Sequence, residues 1–389
     1  MTGLLKETMR ERAEAQSAPT IDVEGIIRSG DRRVRRGRLT TGLAAVGVAG
    51  VIAAGAMVVP QLIDSSGTPG GGHVAGQDSE ESTAPYAERK LTFATEDVVY
   101  YGRESFSVGV TVTSYVQTDD ALVVTSSPED GAAEVVWRYN GADAMRIGHA
   151  DGNVLRADDT GSLVAWTDSS GGSTEYVVFD TSTESEVARV RAATAPGEGP
   201  EIFAVDDGAA YWRLDDGIVR YDVETGTSET VSRWKPVDDP AHKPAQVYDI
   251  VDVAEGQIAY LEDGPRGTQL MVGEAVGDEA RQMPSGWNGV LSSDGRYIGV
   301  EEADELAVYE TTTGADVTPQ LDDYPFKVVY GWVDEDTAMV LAIKDLQGKR
   351  FPSDFLTCEI PEGTCDVVWA GVDAGLRSLT LPVGDPMDS

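Results

Sequence analysis

The chain is poor in the residues that carry most redox, metal and nucleophilic chemistry, with two cysteines and three histidines in 389 residues. So little cysteine excludes a disulfide-framework domain. His73, His149 and His242 fall in no metal-ligand spacing, so neither a histidine metal site nor a histidine-assisted nucleophile is indicated. No G-x-S-x-G, no G-x-x-x-x-G-K-[ST] and no G-x-G-x-x-G behind a strand occurs. Positive charge is scarce as well: 30 Lys and Arg stand against 67 Asp and Glu, for a net charge of −37. A chain this acidic repels phosphate backbones, which argues against nucleic acid as a partner. Long hydrophobic runs are missing too, with one exception.

The exception is residues 39–59, LTTGLAAVGVAGVIAAGAMVV, 21 residues without a charge. As a helix it would reach about 31 Å, the thickness of a bilayer's hydrocarbon core. A lone span must be helical there, because lipid offers the backbone no hydrogen-bond partners. Arg32, Arg33, Arg35, Arg36 and Arg38 stand directly before it, with no comparable cluster behind it. Positive charge stays in the cytoplasm, so the N-terminus is expected inside and the following domain outside. The rival reading is a cleaved signal peptide. It fits less well, because the leader is 38 residues long and 59–62, Val-Pro-Gln-Leu, is a poor cleavage site. Ala45, Ala49 and Ala53 recur every four residues, so helix self-association is one expectation and a simple anchor the other.

These features divide the chain into a cytoplasmic tail over 1–38, a transmembrane helix over 39–62, a tether over 63–89 and a folded domain over 90–389. In the tail, Leu4, Leu5, Met9 and Ala13 lie near one face of a short helix, and Asp22 caps a second. Such a tail either docks a cytoplasmic protein or lies loosely on the inner leaflet. The tether, rich in Ser, Gly, Thr, Pro and Glu, cannot build a core.

Beyond Lys90 the sequence repeats. Six times an acidic or glycine-bearing turn precedes a β-type run: at Asp119-Asp120, Asp159-Thr160-Gly161, Asp207-Gly208, Glu255-Gly256, Asp294-Gly295 and Glu335-Asp336. Each run is followed by a second strand ending in a tight turn, clearest at 178–183, 220–226 and 308–314. Short strands repeating as a four-strand unit every 40-odd residues indicate an all-β domain, a β-propeller. Six units are counted between Val112 and Trp369. Residues 98–101, 105–108 and 376–381 are left over, and pairing them would complete a seventh blade. Seven blades is the expectation and six the alternative.

Cys358 and Cys365 flank a hairpin turning at Pro361-Glu362-Gly363, which would set them opposite each other across two strands. A disulfide is expected outside the cytoplasm, with two free thiols as the alternative. Carboxylate clusters at Asp158-Asp159, Asp206-Asp207, Asp215-Asp216, Asp238-Asp239 and 334–336 offer hard oxygens for Ca²⁺. None has the alternating spacing of a calcium loop, and Asp is favoured at turns for backbone reasons. No catalytic residue and no cofactor is therefore assigned, with Ca²⁺ kept as the alternative.

The stretch Ser292-Ser293-Asp294-Gly295-Arg296-Tyr297 is similar to the S-P-D-G-K/R turn of WD40-like, TolB-like β-propellers, with Ser293 in place of proline. The Tyr-Asp-x-x-Thr-Gly hairpins resemble those of extracytoplasmic propellers, and no Trp-Asp dipeptide closes a blade. The tail, arginine run, single span and acidic domain together resemble single-pass membrane proteins of high-GC Gram-positive bacteria. The resemblance implies a binding platform and names no ligand; the leading expectation is a non-enzymatic, membrane-anchored propeller that binds a protein, peptide or glycan outside the cell, with a signalling role open. The alternatives are an extracytoplasmic hydrolase or lyase using propeller carboxylates, and a regulator whose tail holds a signalling or transcription factor. An enzyme should bring two or more carboxylates together with arginine in the central funnel.

Overall fold

The computed structural model describes residues 86–127, 134–141, 144–152, 154–158, 160–193, 199–233, 246–264, 267–277, 279–302, 305–346, 351–373 and 379–384. The arginine run, the 39–59 segment, the tail helices, most of the tether, His73, His242, Asp159 and Asp238-Asp239 lie outside them. Among the described residues no helix is long and apolar enough to cross a membrane.

Seven antiparallel sheets follow one another along the chain. Blade 2 spans 114–150, blade 3 155–191, blade 4 202–233, blade 5 246–282, blade 6 289–310 and blade 7 326–372, each stepping outward in strand order. Blade 1 is composite. Its innermost strand, Leu379–Thr380, pairs with Thr92–Thr95, and Val98–Tyr101 and Glu104–Ser107 follow outward. Blade 6 has three strands, with only a Tyr309–Asp316 bridge where a fourth would run.

Period-two alternation gives each blade two apolar faces, and each must be covered. In blade 3, Val164 and Trp166 pack with blade 2, while Ala165 between them packs with blade 4. Seven apolar clusters result, one at every junction from blades 1–2 round to blades 7–1, so the sheets close into a seven-bladed β-propeller. Trp166, Trp212 and Trp332 are buried in three of them.

The six repeated turns all join the innermost strand of a blade to its second strand. Their role is register. A turn carbonyl accepts from the amide just past the third strand: Thr181 N to Ser162 O at 2.8 Å, Val223 N to Gly208 O at 3.0 Å, Thr311 N to Arg296 O at 2.8 Å and Ile360 N to Asp336 O at 2.7 Å. In the Ser292-Asp294-Gly295 turn, the Ser292 hydroxyl donates to Asp294 Oδ1 at 2.8 Å and accepts from Tyr297 N at 3.0 Å. Gly295 has φ +70°, and a Cβ there would meet Ala254 O at 3.0 Å, so glycine is needed twice over.

Blade 1 refines the sequence reading. The expected strand at 376–381 is Leu379–Thr380, and Thr92–Thr95, unforeseen, supplies its partner. The fold also starts before residue 90. Tyr86, read as tether, is 5% exposed and packs with Tyr101 and Tyr115. Cys358 and Cys365 form the disulfide, paired directly across the third and fourth strands of blade 7 with Cα atoms 4.1 Å apart. Cys358 is buried against blade 6.

Candidate functional site

Strands alternate in direction, so a blade's first-to-second and third-to-fourth turns, where it has them, lie at one end of the ring. This end is acidic because its turns are built from Asp and Glu. A cavity of about 410 Å³ opens there, lined by Ala87, Arg89, Thr160, Ser293, Trp332, Val333, Asp334, Glu335, Asp336, Thr337 and Glu359. Thr160 belongs to blade 3 and most of the others to blades 6 and 7, so the cavity lies across the middle of the ring.

Blade 7 supplies the acidic wall. Asp334 Oδ1 accepts from Asp336 N at 3.0 Å and Thr337 N at 2.8 Å, a side-chain-bonded turn that asks for Asp at this position. Asp336 accepts from the Arg296 guanidinium at 2.9 Å, and Arg296 also pairs with Asp294. Arg296 thereby ties the turn of blade 6 to that of blade 7. The Thr337 hydroxyl lies 3.4 Å from both oxygens of Glu359, the residue after Cys358. The buried Trp332 donates its indole N–H to Val290 O at 3.1 Å.

The opposite wall is the lead-in, residues 86–90, which forms no strand. Tyr86 N donates to Asp119 O at 3.0 Å, and Gln117 Nε2 donates to Tyr86 O at 2.8 Å. Arg89 Nη2 donates to Gln117 O at 3.0 Å, and the Tyr101 hydroxyl donates to Glu88 O. Gln117, 1% exposed at the end of the innermost strand of blade 2, holds the lead-in at two points. Burial pushes the Tyr101 hydroxyl up to about 12, against the pull of Arg89, so it remains a donor at neutral pH.

Below the mouth, residues 381–384 run along the inner edges of blades 2 and 3. Gly384 N donates to Tyr115 O at 2.9 Å, Leu155 N donates to Gly384 O at 2.6 Å, and Arg156 Nη1 reaches Val383 O at 3.4 Å. Tyr115 and Leu155 sit two residues inside the mouth-side ends of their strands, about 7 Å down. Gly384 has φ +71°, and a Cβ would lie 1.9 Å from Leu155 O, so only glycine fits.

Of the residues marked from sequence, Ser292, Asp294 and Gly295 shape the turn at the rim, and the Cys358–Cys365 hairpin carries Glu359 into the lining. Carboxylates do meet an arginine in the funnel. Asp334 and Asp336 are occupied as turn and ion-pair acceptors and Glu335 is exposed, an arrangement that holds the turns. Asp206 ends a strand, Asp207 and 334–336 are turn residues, and among the described residues no three His, Cys, Asp or Glu side chains are placed to hold a metal. Sequence reasoning missed Arg89, Gln117 and Trp332. For Arg89 the signal was Tyr86, a large aromatic in an otherwise Ser- and Gly-rich stretch.

No protein-family model matches the chain, and no curated protein matches it. Solved structures do. TolB from Acinetobacter baumannii is similar at TM-score 0.40 and 14% identity, over 58% of this chain and 61% of that one. A putative TolB from Agrobacterium tumefaciens is similar at TM-score 0.35 and 10% identity, over 76% of this chain and 95% of that one. A puromycin-hydrolyzing peptidase from Mycobacterium tuberculosis is similar at TM-score 0.44 and 13% identity, over 74% of this chain and 55% of that one.

Proposed function

We propose that this protein is a membrane-anchored, extracytoplasmic binding platform, without enzymatic activity, whose mouth takes a basic segment of a protein partner. The observation that carries the reading is the cavity itself. Asp334, Glu335, Asp336 and Glu359 line it, Arg89 is the cation among the lining residues, and Arg296 beside it pairs with Asp336, within a ring end built of acidic turns. A cleft lined by one sign of charge concentrates ligands of the other sign.

The test is titration of the full chain, in detergent, with a fluorescent oligolysine peptide and an oligoglutamate control. The lysine peptide is expected to bind, and to bind about tenfold or more weakly when ionic strength rises from 0.05 to about 0.5 M, as exposed charge pairs are screened. Equal affinity for both peptides would refute the reading. The hydrolase alternative rests on the same carboxylates beside Arg89. It predicts turnover abolished by Glu359→Gln with ligand affinity retained. Anchoring rests on the 39–59 run and its arginines. A reporter fused after Gly72 should be active only outside the membrane, and activity inside would refute the orientation.

A further inference from the structure

We infer that the mouth takes the C-terminal end of a basic chain, with the terminal carboxylate on Arg89 and a lysine or arginine side chain on the blade 7 wall. The inference rests on the mouth being the binding site and names the part of the partner that enters it. A cavity of about 410 Å³ has the size of a small-ligand cleft. What enters is therefore a few residues of chain, and a free end reaches in without the chain having to turn back out.

The two walls differ in sign. Asp334, Glu335, Asp336 and Glu359 come from blade 7, while Arg89 comes from the lead-in. Two of the acids are already committed, Asp334 to the amides of Asp336 and Thr337, and Asp336 to Arg296. Glu335 is exposed and Glu359 accepts from the neutral Thr337 hydroxyl, so both offer a ligand cation their charge. A uniformly cationic ligand gains on that wall and is repelled by Arg89. A chain end that carries both charges gains on both walls. Arg89 Nη2 donates to the Gln117 carbonyl at 3.0 Å, and Gln117 is itself buried, so that bond orients the guanidinium without neutralising it. A guanidinium presents five donors in a planar fork that matches a carboxylate. An interior lysine-rich stretch carries no carboxylate, so Arg89 makes the mouth select the end of a basic chain over its interior.

The test uses the full chain in detergent and two peptides, Gly-Gly-Lys-Lys with a free carboxylate and the same sequence amidated, each with a fluorophore on its N-terminus. Net attraction to an acidic mouth favours the amide, which carries one negative charge fewer. The inference reverses that order: the free acid is expected to bind about tenfold more tightly, the worth of one charge-assisted pair. Arg89→Gln is expected to abolish the difference by weakening the acid and not the amide. Arg89→Lys, which keeps the charge but loses the fork, is expected to keep part of it. An amide that binds as tightly as the acid, or more tightly, overturns this inference and leaves the mouth standing as a site for cations. A preference for the acid that survives unchanged in Arg89→Gln does the same. Failure of both peptides and of oligolysine to bind overturns the reading of the mouth as well.

Discussion

Blades 1 and 7 are neighbours that solve the same problem differently. Blade 7 is a continuous four-strand meander whose innermost strand, Phe326–Trp332, is seven residues long, with a disulfide across its outer hairpin. Blade 1 draws its innermost strand from the far end of the fold, and that strand pairs at only two positions, Ala94 with Thr380 and Thr95 with Leu379. Side chains supply what main-chain pairing lacks. Phe93 stacks on Phe355 at 3.8 Å and on Tyr100 at 4.5 Å, and Trp369 donates to Gly102 O at 2.6 Å. The comparison teaches that ring closure here depends on packing and a buried tail more than on ladder length.

Removing residues from 379 onward should break the comparison most severely. Blade 1 loses its innermost strand, and Leu381 and Val383 leave the core, so cooperative thermal unfolding should be lost in calorimetry. A sharp transition near the wild-type midpoint would show that the lock is dispensable. Phe93→Ala comes next, since it empties the blade 7–1 interface. About 3–5 kcal/mol should be lost in urea unfolding, as for buried aromatic truncations elsewhere. Cutting the Cys358–Cys365 bond by Cys365→Ser should cost about 2–3 kcal/mol, the chain-entropy value for so short a loop, because blade 7 keeps its ladder.

Acid should produce the smallest effect. Asp354 of blade 7 accepts from the Tyr324 hydroxyl at 2.8 Å, Lys344 Nζ at 2.7 Å and Gly371 N at 2.7 Å. Burial pushes its carboxyl up, but these bonds and the Lys344 charge outweigh burial and hold it below the usual range. A depressed folded value means the carboxylate contributes stability that is complete above the unfolded value of about 3.9 and is lost as pH falls through the folded value. Asp354→Asn should therefore flatten part of the fall in melting temperature below about pH 4. An unchanged acid profile would remove blade 7 as its source.

Much of the fold was legible because strand alternation and turn chemistry leave local marks. The six acidic turns all proved to be first-to-second strand turns, and Cys358 and Cys365 met across the hairpin that their spacing suggests. Residues 379–380 were harder to place exactly, since a two-residue strand carries no periodicity and its partner lies 286 positions earlier. The cavity was invisible for the same reason. Arg89, Thr160, Ser293 and Glu359 share no local pattern, and only closure of the ring brings them to one mouth.

The pairing of Ala94 with Thr380 also sets a timetable. The three outer strands of blade 1 are made first, yet their inner neighbour emerges only after six further blades. The other blades pair consecutive strands, so this one pairing carries the long-range closure, and the first blade must wait with an open edge while the rest is synthesised. A domain built this way stays unlocked along most of its length until residue 384 arrives. Any process that stalls synthesis before that point leaves an open ring, exposed to proteases and to pairing with other chains.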